Sequence, residues 1–244
     1  MKKLLILFVM AFAINVAAQE SVLLRLNYKK GDSYVMKMKM TQDIGEAMSM
    51  DMNMTMSQKI ISVTGGNYVT EMKISKMSMD MMQGGMSMAY DSSKSDDELD
   101  ATGKMMKTQM EPMLKAVITA KGNNIGEVLE TTVEPNNLRT ADLAKQSNSI
   151  VYPKKAVRVG DTWTMTKSEK GNDMNFVYKV KSITNSQVLL DVSGGISGAA
   201  EGTIKGNITI DRNSGVPSSS KIEMDMSTQG QEIITSVVST IVKQ

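Results

Sequence analysis

From Tyr34 onward the chain alternates. Tyr34, Met36, Met38 and Met40 fall on one side of an extended backbone, with Val35, Lys37, Lys39 and Thr41 on the other. After the polar break Gln42 to Glu46, Met48, Met50, Met52, Met54 and Met56 alternate with Ser49, Asp51, Asn53 and Thr55. Successive strand side chains point to opposite faces, so this period of two predicts an antiparallel hairpin with a methionine face and a polar face. Beyond Thr64-Gly65-Gly66-Asn67, a turn by composition, Tyr68, Thr70, Met72 and Ile74 keep one phase while Met77, Met79 and Met81 take the other. That change predicts a bulge at Ser75-Lys76. Met86, Met88 and Tyr90 start a new alternating set after Gly84-Gly85.

The second half repeats the first. A shift of 120 residues pairs Met54 with Met174, Met56 with Phe176, Ile60 with Val180, Ser62 with Ser182, Thr64 with Thr184, Tyr68 with Val188 and Met72 with Val192, and later Met88 with Ile208, Tyr90 with Ile210 and Asp91 with Asp211. Upstream, Gly31-Asp32-Ser33-Tyr34 matches Gly160-Asp161-Thr162-Trp163 at a shift of 129, so the first copy carries a hairpin nine residues longer. The expected fold is all-β or β-dominated α+β: two duplicated antiparallel β-meanders, as two similar curved sheets or half-barrels, with one or two short helices.

Between the copies the period changes. Met105, Met106, Gln109, Met110, Met113 and Leu114 recur near 3.6 and predict a short amphipathic helix over 101–113, limited by Pro112. Val117 to Ala120, the turn Lys121 to Asn124, and Ile125 to Leu129 predict a hairpin, whose counterpart in the second copy is Ile222 to Met226, the Gln229-Gly230 turn and Glu232 to Val242. Asn137 to Lys145 predicts a second short helix. The plan is therefore a leader at 1–18, a first copy at 19–135, a linker at 136–158 and a second copy at 159–244.

The leader follows from Lys2 and Lys3, the apolar Leu4 to Val16, too short for a membrane span, and the small-residue site Val16-Ala17-Ala18 before Gln19. No cysteine stands there, which excludes a lipid anchor and leads to an exported, soluble protein of periplasm or exterior, with no transmembrane segment in the mature chain. Removing two lysines takes the formal charge from +2 to 0, so nothing electrostatic points to nucleic acid.

With no His and no Cys, imidazole acid/base chemistry, Ser-His-Asp and Cys nucleophiles, zinc fingers and disulfide scaffolds are all excluded. What remains is weak. Gly-Asp before Tyr34 and Trp163 reads as a turn whose Asp bonds local amides. Asp211 to Gly215 reads as a hairpin turn, lacking the later Glu of a calcium loop. Asp96, Asp97, Glu98 and Asp100 read as a solvated loop, and neither Gly194 to Gly198 nor Ser218-Ser219-Ser220-Lys221 sits in the context its motif needs. A carboxylate-pair hydrolase stays open, with no pair singled out. The expectation is a non-enzyme without cofactor.

The Gly-Asp-Tyr and Gly-Asp-Trp starts, the methionine hairpin and the closing Ile210-Asp211-Arg212-Asn213-Ser214-Gly215 together resemble an uncharacterised family of secreted bacterial proteins, classed as a domain of unknown function. The resemblance implies secretion and a β-rich architecture without a reaction. By pattern alone the chain is also similar to periplasmic lipoprotein carriers, whose half-barrel sheet holds acyl chains beneath helices.

The anomaly to explain is 25 Met. Unbranched thioethers fill irregular core gaps, and only one Trp and three Phe are there to do so otherwise. A continuous face of Met36, Met38, Met40, Met48, Met50, Met52, Met54 and Met56 also suits an apolar or lipid-like ligand, which is the specific functional expectation. Thioether binding of Cu(I) or Ag(I) through Met36, Met38, Met50, Met52 and Met54 is the third reading.

Overall fold

A computed structural model of the chain describes residues 20–136, 140, 150–169 and 171–244. The leader, and all but Thr140 of the helix expected over Asn137 to Lys145, fall outside them. The strands are β1 (Ser21–Val22), β2 (Ser33–Ile44), β3 (Met48–Thr64), β4 (Asn67–Gln83), β5 (Met86–Asp91), β6 (Val117–Asn123), β7 (Val128–Glu134), β8 (Val157–Arg158), β9 (Thr162–Glu169), β10 (Asn172–Ile183), β11 (Gln187–Gly198), β12 (Glu201–Asp211), β13 (Pro217–Thr228) and β14 (Gln231–Lys243). One α-helix, α1 (Ala101–Lys115), follows a 3-10 turn at Asp96–Glu98.

Apart from the short β1–β8 pair, all strands form one antiparallel sheet in the order β7-β6-β4-β3-β2-β14-β13-β12-β11-β10-β9, with β5 also on β4. The duplicated antiparallel meanders expected from the sequence are present, and they share one sheet. β14 pairs with β2 along its length, from Ile233 opposite Ile44 to Lys243 opposite Tyr34, and this joins the copies into a single sheet that does not close. Period-two patterning specifies faces but not which strand lies beside which.

The repeat itself is visible in the hydrogen bonds. β3 and β4 shift register between Ile60 and Ser62, and β10 and β11 shift between Val180 and Ser182. At the strand starts, the Gly31 N–H donates to the Ile60 carbonyl and the Ile60 N–H to that of Asp32; the Gly160 and Val180 N–H groups do the same to Val180 and Asp161. The Asp32 and Asp161 carboxylates accept from the backbone N–H of Lys29 and Arg158, the local-amide turn expected from Gly-Asp. Tyr34 lies opposite Gln58 and Trp163 opposite Tyr178, equivalent positions at shifts of 129 and 120.

The equivalence then ends. Thr70 on β4 faces Ala120 of β6, whereas Leu190 on β11 faces Ile208 of β12. The partner of β12 in the first copy is therefore β6, and that of β13 is β7. Met88, Tyr90 and Asp91 are not the counterparts of Ile208, Ile210 and Asp211, and the hairpin β6–β7 corresponds to β12–β13 rather than to β13–β14. The first copy instead extends β4 past a bulge at Ser75 and inserts β5 and α1, with β5 on the Ser78–Gln83 half of β4 and β6 on the Asn67–Lys73 half. The Ser75 hydroxyl donates to the Thr55 carbonyl across that bulge, where the phase change predicted it.

Both strand faces are sorted. One carries Val180, Val188, Leu190 and Ile210, each fully buried, and the alternating methionines of β2 and β3; the other carries exposed ion pairs such as Lys39–Asp51, Lys181–Asp191 and Lys205–Glu223. At one end of the sheet, its base, the segment from Val22 to Tyr28 and the segment from Ile150 to Val157 cross the apolar face. Leu26 and Asn27 donate their N–H groups to the carbonyls of Asn124 and Ser214, and Tyr152 donates its N–H to Ile125 and its hydroxyl, at 2.6 Å, to Gly215. Gly126 and Gly215, at φ of +90° and +69°, let these segments in: a Cβ there would collide with the carbonyls of Ile150 and Arg25.

The methionine face as candidate binding site

All eight methionines singled out in the hairpin lie in one phase of β2 and β3. Met36 faces Met56, Met38 faces Met54 and Met40 faces Met52, while Met50 and Met48 face Gln42 and Ile44. On its other side β3 continues the face into β4, where Met50, Met52 and Met54 meet Met81, Met79 and Met77. Of the eight, Met54 alone counts as buried, beside Ile74 and Met77; the others are half-exposed.

Of the five methionines considered for a soft metal, Met38, Met52 and Met54 share one cluster, and Met36 and Met50 stand outside it. Met38 and Met54 are opposite one another, but Met50 sits at the level of Gln42, six residues along β2 from Met36, roughly 20 Å away.

A helix covers part of this face. Asp100 caps α1 by accepting from the Gly103 N–H at 2.6 Å. Met106 packs with Met79 and Tyr90, and Met110, Met113 and Leu114 pack on the cluster of Met54, Ile74 and Met77. The helix continues three residues past Pro112, further than expected, and ends where the Ala116 N–H bonds the Met113 carbonyl. The acidic run ahead of it is partly employed: Asp96 pairs with Lys107, and Glu98 accepts from the Ser95 N–H and hydroxyl.

The inward face does not stop at β2. Ile233, Val237 and Ile241 of β14 lie opposite Ile44, Met40 and Met36, and β14 in turn faces Met226, Met224 and Ile222 of β13. Sequence reasoning missed these neighbours because no local signal assigns β14 to β2 across some two hundred residues. Their inward register would have been legible once the pairing was known. Met36, Met40, Ile44, Ile233 and Val237 are half-buried and join none of the buried clusters.

At the base of this central strip is a cavity of about 450 Å³, lined by Tyr34, Val216, Ser218, Ile241, Lys243 and Asp211 among others. Lys243 Nζ lies 2.7 Å from the Asp32 carboxylate and 5.9 Å from the Tyr34 ring centre. Burial pushes the Tyr34 hydroxyl up to about 12, helped by the Asp32 and Asp211 carboxylates. Burial opposes ionisation of Asp32, but hydrogen bonds from Lys243 and the Lys29 N–H hold its carboxyl below the usual range. The Ser214 hydroxyl and N–H do the same for Asp211, which forms the turn expected at Asp211 to Gly215. Among the described residues no three His, Cys, Asp or Glu side chains group to hold a metal ion, and no helix is long and apolar enough to cross a membrane.

Residues 139–228 match a family of unknown function, DUF6263. The match runs from ahead of β8 through β13, and over that stretch it bears out the resemblance to a family without an assigned activity. No curated protein matches the chain. In fold the chain is similar to lipovitellin, in a structure that describes lipid–protein interactions in that protein: TM-score 0.56, 10% identity, 89% of this chain and 25% of that one. The chain thus spans about a quarter of the lipovitellin chain. Lower scores come from the β domain of the Bordetella autotransporter BrkA (TM-score 0.38, 6% identity, 86% of this chain, 98% of that one) and the translocator domain of NalP from Neisseria meningitidis (0.37, 7%, 88%, 90%).

Proposed function

We propose that this is an exported, non-enzymatic binding protein of the cell envelope that takes apolar or lipid-like ligands on its methionine-rich inner face. The observation that carries the reading is the incomplete cover of that face. The base segments seal one end and α1 seals the β4–β5 flank, yet Met36, Met40, Ile44, Ile233 and Val237 stay half-exposed on neighbouring strands. A contiguous apolar strip of this kind marks an interaction site, and mobile, polarizable Met suits ligands of variable shape. The likeness to lipovitellin, a protein studied for its lipid contacts, agrees with it at the level of fold.

The test uses protein recovered from the cell envelope, whose first residue should be Gln19; an intact Met1 would overturn export. That protein should bind the uncharged dye Nile red saturably, and Met36→Ser with Met40→Ser should weaken binding about tenfold without loss of fold, as should oxidation of the methionines to sulfoxide. No saturable binding, or binding indifferent to both changes, would leave the methionines as core filler.

A further inference from the structure

We infer that the seam between the two copies, the inner face of β13, β14 and β2, is the ligand-binding trough, and that its occupant is the single acyl chain of an amphiphile with a head of no net charge, such as a monoacylglycerol. This rests on the reading of the inner face as an apolar binding site and assigns a place and a ligand class within it. Three observations carry it.

The first is chemistry along the trough. Every inward residue from Met36 to Ile44, from Ile233 to Ile241 and from Ser220 to Met226 is uncharged. Its few polar groups are spoken for: the hydroxyls of Ser220 and Ser239 bond each other at 2.8 Å, and the Gln42 side chain donates to Thr235. A charged segment of ligand would find no counter-charge there, whereas a hydrocarbon chain asks for none. The second is size. Met36 to Ile44 span roughly 26 Å, and one lipid tail, half of a ~30 Å hydrocarbon core, takes up about 15 Å of that, so one extended chain lies lengthwise with room left for its head.

The third is the end of the trough. Below Ile241 the strip runs into the cavity bounded by Tyr34, Ser218 and Lys243, where polar groups reappear. There the one ammonium is already paired to Asp32, and Asp211 adds a second carboxylate. The local balance is negative. A carboxylate head would be repelled, while glycerol-type hydroxyls need no counter-charge.

The experiment displaces Nile red from the full-length mature protein with monopalmitoylglycerol or with palmitate at neutral pH, each below its aggregation threshold. Monopalmitoylglycerol should act at a concentration roughly tenfold or more below palmitate. Val237→Lys puts an ammonium into the trough and should abolish displacement, while Val238→Lys, on the opposite face of the same strand, should match the unaltered protein; Met40→Gln keeps side-chain size and should weaken binding several-fold if Val237→Lys fails to fold. Equal or better displacement by palmitate overturns the ligand class. Nile red binding that survives Val237→Lys and Met40→Gln but falls on substitution of Met52 and Met79 overturns the seam and leaves the inner face as the binding site. No binding by the unaltered protein overturns both.

Discussion

The two copies share a backbone plan and differ in what they do with it. Ile60 and Val180 sit at the same bulge, each with no exposed surface. Moving away from the base, the second copy lines its inner face with Leu190, Val192, Ile196, Ile204 and Ile208, all buried, beside half-exposed Met165, Met174 and Phe176, whereas the first lines its own mainly with methionines, most of them half-exposed. Branched side chains lose little rotamer freedom on packing and make a finished core. Flexible thioethers accept a cover that is partial or exchangeable, here the inserted α1. One sheet thus holds a fixed wall and an adaptable one.

The most drastic way to break this arrangement is alkali. Burial raises the hydroxyls of all six tyrosines, Tyr34 and Tyr178 to about 12. Because the folded values lie above the unfolded value near 10, the stability they lend is intact below about pH 10 and is lost as pH rises toward 12. Tyr28 touches Tyr34 and Tyr68 edge-on, and Tyr152 bonds Gly215, so the phenols form a floor common to both copies. Absorbance of phenolate and far-UV dichroism should therefore change together in one transition; two separated transitions would mean that the copies unfold independently.

Next in size is a pair of truncations. Leu190→Ala opens a cavity in the fixed wall and should cost about 2–5 kcal/mol in denaturant unfolding. Met40→Ala, on the adaptable wall, should cost about 1 kcal/mol or less, since that side chain is already half in water. Equal losses would erase the distinction between the walls. The smallest effect is confined to the cover: Asp100→Ala removes the cap of α1 and should cost about 1 kcal/mol, with faster amide exchange over α1 and little change in β9 to β12.

Much of this was legible from residues alone, and the reason is locality. The Met36–Met56 hairpin, the bulge at Ser75, the Gly-Asp turns and α1 each follow from contacts within a few dozen residues, where period and turn chemistry decide the outcome. Strand order is another matter. Met88 and Ile208 carry the same alternation at the same shift, yet one sits on an inserted strand and the other in the duplicated core, because any amphipathic strand has that pattern. The candidate site was half read: its methionines were all on one face as expected, but Ile233, Val237 and Ile241, which complete it, depend on a pairing that no local sequence encodes.

That pairing also sets an order of events. Thr235 lies beside Gln42, 193 residues away in the chain, so during synthesis β2 waits with one ladder of amides and carbonyls unpaired until nearly two hundred further residues have been made. Contacts of such long separation close slowly, and an unpaired edge is a template for unwanted strand addition. On β2 that edge alternates methionine with Lys37 and Lys39, and the two ammonium groups, exposed in the finished sheet, serve as guards against self-association in the interval before β14 arrives.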